Sequence, residues 1–504
     1  MFRRSSGSEE LAMCPDRVPE DVERENAGGS LAGRGGRGDW LSGNLPGISG
    51  RFGVEREDFE VEEVLSYEPC GEGTHTFLWV EKRGLSTFEC VKRLARALGR
   101  REREFGYAGL KDRNAVTRQW ISIEHLDRRK LVGLEIPGLA ILDQRQHRNK
   151  IKLGHLKGNR FRLLLRGLAE GDLGRARAIL ALLETKGVPN FFGLQRFGRG
   201  GSTPGLGRLL LEGRHEDFLE AMEPGNPVAG KALAEWKRSG KVERALRAFP
   251  RRFLSLCTAA LQAQVFNDCL RARLGSLHEV EEGDIAFIHK NGACFLVEPA
   301  PVSPLDPPSP GDKQRPKGDT HAPSPVGEQR AKGDTHSRTP GGGDRPQTPS
   351  RGETPGMGDP HAQTPDQGDP QSPSTEMGDT HVISPDMEAI QARAARFEIS
   401  PSGPLPGPKC LRPKGAPAAL EAAILARYSL SHESFAASPG RYAPYHQQGA
   451  RRPLRVPIGD THVSPGPAPD QMLLSFSLPR GSYATAVLAE LLRFPPDQGP
   501  HPRP

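Results

Sequence analysis

From position 296 to position 396 the chain carries no Phe, Trp or Tyr, and residues 301–380 hold 16 of its 47 prolines. Such a stretch cannot bury enough apolar surface to offset the entropy of ordering its backbone. The folded core must therefore be built from what flanks it. The stretch also repeats itself: Gly-Asp-Thr-His at Gly318, Gly333 and Gly378, and Gly-Asp-Pro at Gly358 and Gly368. Histidines this far apart, among prolines and glycines that cannot pre-arrange a site, read as a low-complexity insertion rather than a metal-binding tract. A further Gly459-Asp-Thr-His lies between two apolar runs and reads as a surface loop. Residues 1–45, rich in Gly, Arg and Glu without periodicity, and the Pro-rich 495–504 read as tails.

Composition narrows the function. No run approaches the ~20 apolar residues of a membrane span, and the N-terminus lacks the apolar core of a secretory signal. Seven cysteines, scattered and without a CxxC pair, fit a reduced cytoplasm and argue against a disulfide framework or a zinc site. The formal charge of +7 permits a nucleic-acid partner without requiring one. Walker, GxGxxG, HExxH and GxSxG patterns are all missing, so nucleotide hydrolysis, dinucleotide binding and the common hydrolase plans lack support.

Strands are expected at 58–67, 76–83, 115–123 and 160–167. A helix after Ser86 has a capping box with Glu89, a face of Phe88, Val91, Ala95 and Leu98, and a stop at Gly99. Further helices are expected from Asp172 to Gly187, at 253–274 and at 416–427; a strand at MLLSFSLP precedes a last helix capped by Ser482. Strands and helices mix without a regular βαβα beat, which predicts an α+β fold.

Three clusters could carry chemistry. The first is the loop after Tyr107, with Lys111, Asp112, Arg113 and Asn114. Asp beside Asn is ordinary turn chemistry; a catalytic carboxylate is the other reading. The second is KGNRF, where Gly158-Asn159 suits a turn and Phe161 either packs or stacks. The third, GVPNFFGLQRFGRGG, interleaves aromatic rings with Arg196 and Arg199 among glycines. Rings and guanidinium groups on such a backbone suit bases and phosphates, or a packed interdomain turn.

In order, YAGLKDRNAVTRQW, LGHLKGNRF and GVPNFFGLQRFGRGG, with REDFEVEEV before and LPRGSYATAVLAEL after, resemble the motifs of the TruD family of tRNA pseudouridine synthases. The resemblance spans about 48–494 apart from the repeat insertion. It implies a pseudouridine-synthase catalytic sheet with flanking helices over 46–187 and 454–494. That sheet would be interrupted by an inserted α/β TRUD domain over 188–453, with the repeat tract at 300–385 inside it. It further implies a monomeric enzyme that turns a uridine of tRNA, typically at position 13, into pseudouridine without metal or cofactor.

By the same resemblance Asp112 corresponds to the catalytic aspartate, Asn159 to an amide beside it, and Phe161 to the ring stacked on uracil. Phe59 and Tyr483 correspond to further rings of the pocket, with Lys111, Arg113, Arg196 and Arg199 as candidates for support or RNA contact. Attack at C6, attack at C1′ and assisted elimination all begin from an ionised carboxylate. Where the family tends to carry a basic residue, six positions before Phe59, this chain has Gly53, leaving Arg51 or Arg56 to supply the charge. That departure also fits a non-catalytic RNA-binding or RNA-folding protein on the same scaffold. Because each neutralised phosphate releases counterions, affinity for tRNA is expected to fall steeply between low and moderate salt in a filter-binding titration.

Overall fold

The computed structural model describes residues 40–198, 201–222, 228–298, 386–436 and 445–495. Its first half comprises β1 (Phe59–Leu65), β2 (His75–Arg83), α1 (Thr87–Leu98), β3 (Phe105–Tyr107), β4 (Val116–Glu124), β5 (Leu139–His147), β6 (Leu156–Arg166) and α2 (Asp172–Lys186). After β7 (Val188–Pro189) come α3 (Thr203–Glu212), α4 (His215–Glu220), α5 (Gly230–Ser239), α6 (Val242–Ala248) and α7 (Arg251–Ala272). There follow β8 (Ile285–Ile288), β9 (Cys294–Leu296), α8 (Met387–Ala395), β10 (Ile399–Leu405), α9 (Gly415–Arg427) and β11 (Ala450–Pro453). The chain ends with β12 (Arg455–Val456), β13 (Gly459–Pro465), β14 (Gln471–Pro479) and α10 (Ala484–Leu492).

The main sheet runs β13-β14-β6-β1-β4-β2-β5, with β3 added to β4. Only β1 and β4 are parallel among its described pairs, because the chain passes through α1 before β4 returns beside β1. Alternation along the strands sorts the two faces. One face bears Glu60, Glu62, Glu81, Arg118, Arg160 and Arg162 as cross-strand ion pairs, such as Arg118 with Glu81 at 2.8 Å and Arg160 with Glu62 at 3.2 Å. The other carries two apolar patches under helices. Leu94 and Leu98 of α1 pack on Leu78, Val80, Ile121 and Ile123. Leu183 of α2 and Leu488 of α10 pack on Leu163, Leu165, Leu474 and Phe476.

The chain passes from the main-sheet strands through β7 and returns to them through β12, and these two strands pair antiparallel. Fully buried Arg455 pins the crossing: it donates to the carbonyls of Lys186 at 2.9 Å and Ala394 at 2.6 Å, and its guanidinium lies 4.5 Å from the Phe397 ring centroid. Beyond it, α3 to α6 gather around one end of α7, and a sheet ordered β11-β10-β8-β9 packs beside it. Small and apolar residues surround α7 on nearly every side, which suits a helix buried in the middle of a domain.

Several sequence expectations change. Residues 40–45, assigned to a tail, dock on α10: the Leu41 and Ser42 N–H groups donate to the Glu490 carboxylate at 3.0 and 2.9 Å, and Arg493 donates to the Ser42 and Leu45 carbonyls. Burial raises the Glu490 pKa against these bonds. The Gly459 repeat copy is strand β13 rather than a loop, since its backbone pairs with β14. Gly158-Asn159 lies inside β6, not in a turn; a Cβ at Gly158 would fall 2.3 Å from the Leu478 carbonyl oxygen, so close strand approach is what requires glycine there. Tyr483, not Ser482, occupies the N-cap position of α10. The Ser86–Glu89 capping box forms as expected, but Phe88 is 42% exposed. The tract 300–385 lies outside the described residues.

Because Leu163 is fully buried at the centre of β6, Leu163→Ala should lower unfolding free energy by about 2–5 kcal/mol. In a urea titration this appears as a lower midpoint with little change in slope.

Candidate active site

Between the two apolar patches the sheet face turns polar. In register across five strands stand Lys82, Thr117, Val61, Phe161 and Phe476. Two residues along, Glu63 stands opposite Asn159, which stands beside Leu478. Lys82, Thr117 and Gln119 are fully buried and Glu63 nearly so. Buried charges and amides hold only where partners meet them, and the loop between β3 and β4 supplies these partners. Lys111 Nζ lies 2.8 Å from Glu63 Oε2 and donates to Asn159 Oδ1 at 2.8 Å. Its backbone N–H donates to Thr87 Oγ1, which in turn bonds Gln119 at 3.0 Å. Burial raises the Glu63 pKa, and the Lys111 charge opposes the rise.

Lys82 holds the next residue. Its ammonium donates to the Asp112 carbonyl at 2.7 Å and the Leu85 carbonyl at 2.5 Å. Burial pushes the Lys82 pKa down to about 8, while nearby Cys90, Asp112 and Glu89 favour the charged form and Lys111 disfavours it. The loop is thus clamped from beneath at Lys111 and Asp112, and the Asp112 side chain stands exposed. One carboxylate oxygen accepts the Asn114 N–H at 3.0 Å, so the turn geometry is present. Arg113 is turned to the rim, pairing with Glu89 at 2.9 Å and donating to the Gly84 carbonyl.

Phe59 stacks on Phe161 with ring centroids 6.2 Å apart and planes within 6°, and Phe161 meets Phe476 at 5.3 Å. Phe161 is only 7% exposed, whereas Phe59 is half-buried. Tyr483 joins a separate cluster with Phe191 and Phe192. There Arg452 lies 4.1 Å from the Phe192 ring centroid and donates to Asn190 Oδ1 at 2.6 Å and to the Gly481 carbonyl at 2.9 Å. Burial pushes the Arg452 pKa down to about 10. The Arg196 guanidinium lies 5.6 Å from the same ring centroid. Arg199 is outside the described residues. Of the two cations considered in place of a basic residue at Gly53, Arg51 pairs its backbone with Arg166, while Arg56 rests its guanidinium against Gly84, next to the Asp112 loop. Gly53 itself has φ +68°, a backbone that a Lys or Arg would adopt only with strain.

Glu63, Lys82 and Arg452 escaped the sequence reading. Lys82 and Glu63 carried a signal, being charged residues on the inward positions of alternating strands; Arg452, one of a run of two arginines, carried none. Among the described residues no group of three or more His, Cys, Asp or Glu could hold a metal ion, and no helix is long and apolar enough to cross a membrane.

Comparison with known proteins places this geometry in a lineage. The family profile of tRNA pseudouridine synthase D (TruD) matches residues 39–231, 229–303 and 362–491. The tRNA pseudouridine synthase D of Geobacter metallireducens is 35% identical over 489 residues, covering 90% of this chain and 97% of that protein. Its Thermus thermophilus counterpart is 34% identical over 90% of this chain and 92% of its own length. A crystal structure of a Methanosarcina mazei protein assigned to TruD shares the fold, with TM-score 0.62 at 21% identity over 90% of this chain and 95% of that one. By these matches the chain is a member of the TruD family of tRNA pseudouridine synthases.

Proposed function

We propose that this enzyme isomerises one uridine of tRNA, at position 13, to pseudouridine, with Asp112 as the nucleophile acting on an everted nucleotide. The C1′–N1 bond breaks, the uracil turns, and a C1′–C5 bond forms; the C5 proton leaves as N1 gains one, so atoms balance without redox chemistry or an external donor. A stacked base is out of reach of any side chain, so eversion comes first and costs a few kcal/mol. Stacking on the face of half-buried Phe59 turned away from Phe161 offsets part of that, at ~1–3 kcal/mol per ring. Tyr483 closes the far wall, held through the Gly481 carbonyl by Arg452. Asn159 orients the Lys111 ammonium under the loop, and Arg196 is placed to meet the RNA backbone. All these groups belong to one chain, in keeping with a monomer working in the cytoplasm.

The observation that carries the reading is the clamped loop. The Lys111 side chain is anchored on Glu63 and Asn159, the Lys82 ammonium holds the Asp112 carbonyl, and the Asp112 carboxylate is left exposed with, among the described residues, only the Asn114 N–H bonded to it. Positioned charge of this kind is what nucleophilic catalysis needs.

Two tests follow from it. With uridine-labelled tRNA, Asp112→Asn should lose at least about a thousandfold in turnover while retaining tRNA affinity, and mapping should place the product at position 13. Conversion by neither protein, with binding intact in both, favours the RNA-folding alternative. Second, turnover should decline above about pH 8 as Lys82 loses its proton and one of the three N–H donors that it turns to the Leu85, Asp112 and, at 3.5 Å, Lys111 carbonyls. Lys82→Met should be slow at every pH and lack that alkaline limb. In stability the sign is opposite: the folded Lys82 pKa lies below the unfolded one, so this group's burial cost lessens as pH rises from about 8 towards 10.5.

A further inference from the structure

The far end of α1 carries a second concentration of charge that the site does not use. A groove of about 560 Å³ is lined by Lys92, Arg96, Arg100, Arg101, Arg103 and Glu102, with Ala95 at its floor. Two of these arginines share one carboxylate: Arg100 and Arg101 pair with Glu104 at 2.5 and 2.8 Å. Arg96 and Arg103 are exposed and have no ion pair among the described residues. Gly99, in the left-handed conformation at φ +65°, ends α1 and turns the chain so that 100–103 face back along the helix. Cations in a last helical turn are common where they satisfy carbonyls, and Arg100 does so at Glu124 and His125. Arg96, in the last turn of α1, is placed to meet the helix dipole as well, but it bonds no carbonyl among the described residues, and Arg103 lies beyond the helix.

The groove lies on the α1 side of the sheet, as the Asp112 loop does. That loop is tied to the first residue of α1 through Thr87, and nine residue steps of 1.5 Å each set Arg96 about 14 Å further along the helix. This is a few nucleotides' span along an RNA strand. We infer that the α1 groove is a second anchoring site for the tRNA, gripping phosphodiesters two to four nucleotides or one groove-width away from the everted base through Arg96 and Arg103. The inference rests on the proposed tRNA substrate and adds a surface to it. Two charge-assisted contacts to phosphate should contribute about 1.8 to the slope of log K against log salt, at ~0.9 per contact.

Arg96→Gln/Arg103→Gln is the variant that tests it, both side chains being exposed. With full-length tRNA, the double variant should bind about tenfold more weakly at low salt, flatten the salt slope by 1 to 2 units, and raise KM with kcat unchanged. With a short single-stranded RNA spanning only the target uridine and its immediate neighbours, affinity should not change. An unchanged salt slope for tRNA, or an equal loss for the short RNA, overturns the inference. Wild-type conversion of labelled tRNA, measured alongside, reports on the proposed function by itself: a groove variant that binds normally beside an active wild type refutes the groove alone, and an inactive wild type refutes the reaction.

Discussion

The Lys111–Glu63–Asn159 contact is the constraint on which the rest of the site hangs. A carboxylate with no solvent exposure on its side chain and an ammonium almost as buried face each other at 2.8 Å in the middle of a sheet. Removing either partner would strand a charge in a low-dielectric interior, at a cost of about 3–5 kcal/mol. The pair therefore dictates where the β3–β4 loop sits, because Lys111 can reach Glu63 only if the loop folds down onto the sheet. Asp112 follows by covalent geometry. Lys82 completes the arrangement with bonds to carbonyl oxygens rather than to a carboxylate, so it fixes the backbone of the loop without neutralising the outward charge of Asp112.

This explains why the polar strip interrupts the core. A sheet face of this size, covered by α1 on one side and by α2 and α10 on the other, could have been apolar throughout. Instead the row Lys82–Thr117 and the pair Glu63–Asn159 divide it, leaving a gap between the helices that the β3–β4 loop fills from above. Stability is conceded in the strip and recovered in the flanking patches, where Leu78, Leu94, Leu163 and Leu183 are completely buried. Aromatic residues mark the gap's other bank: Phe59 and Phe161 are near-parallel because register places them diagonally on adjacent strands.

Much of the main sheet and its helices was legible in the sequence, because these elements obey local rules. The alternation of β1, the capping box of α1 and the bounds of α2, from Asp172 to its Gly187 stop, all appear where patterning puts them. The errors cluster where tertiary contact overrides local chemistry. Gly158-Asn159 has turn composition, yet β14 on one side and β1 on the other hold it extended. Gly459-Asp-Thr-His has the composition of the repeat tract, but its neighbour β14 supplies a ladder that holds it extended. Residues 40–45 have no periodicity of their own and are ordered through Glu490 and Arg493, some 450 positions away. As for the site, the residues of the loop and rings stood out as motifs, whereas Glu63 and Lys82 work through pairings that only the folded sheet creates.

The interruption of the main sheet sets a timetable for its assembly. β6 ends at Arg166 and its partner β14 begins at Gln471, so about 300 residues are synthesised between them. At ~5–20 residues per second, translation leaves that margin of β6 open for roughly 15–60 s. During this interval Phe161, Leu163 and Leu165 lack the layer that α10 and β14 later provide, and a nascent chain in this condition is a natural client for a holding chaperone.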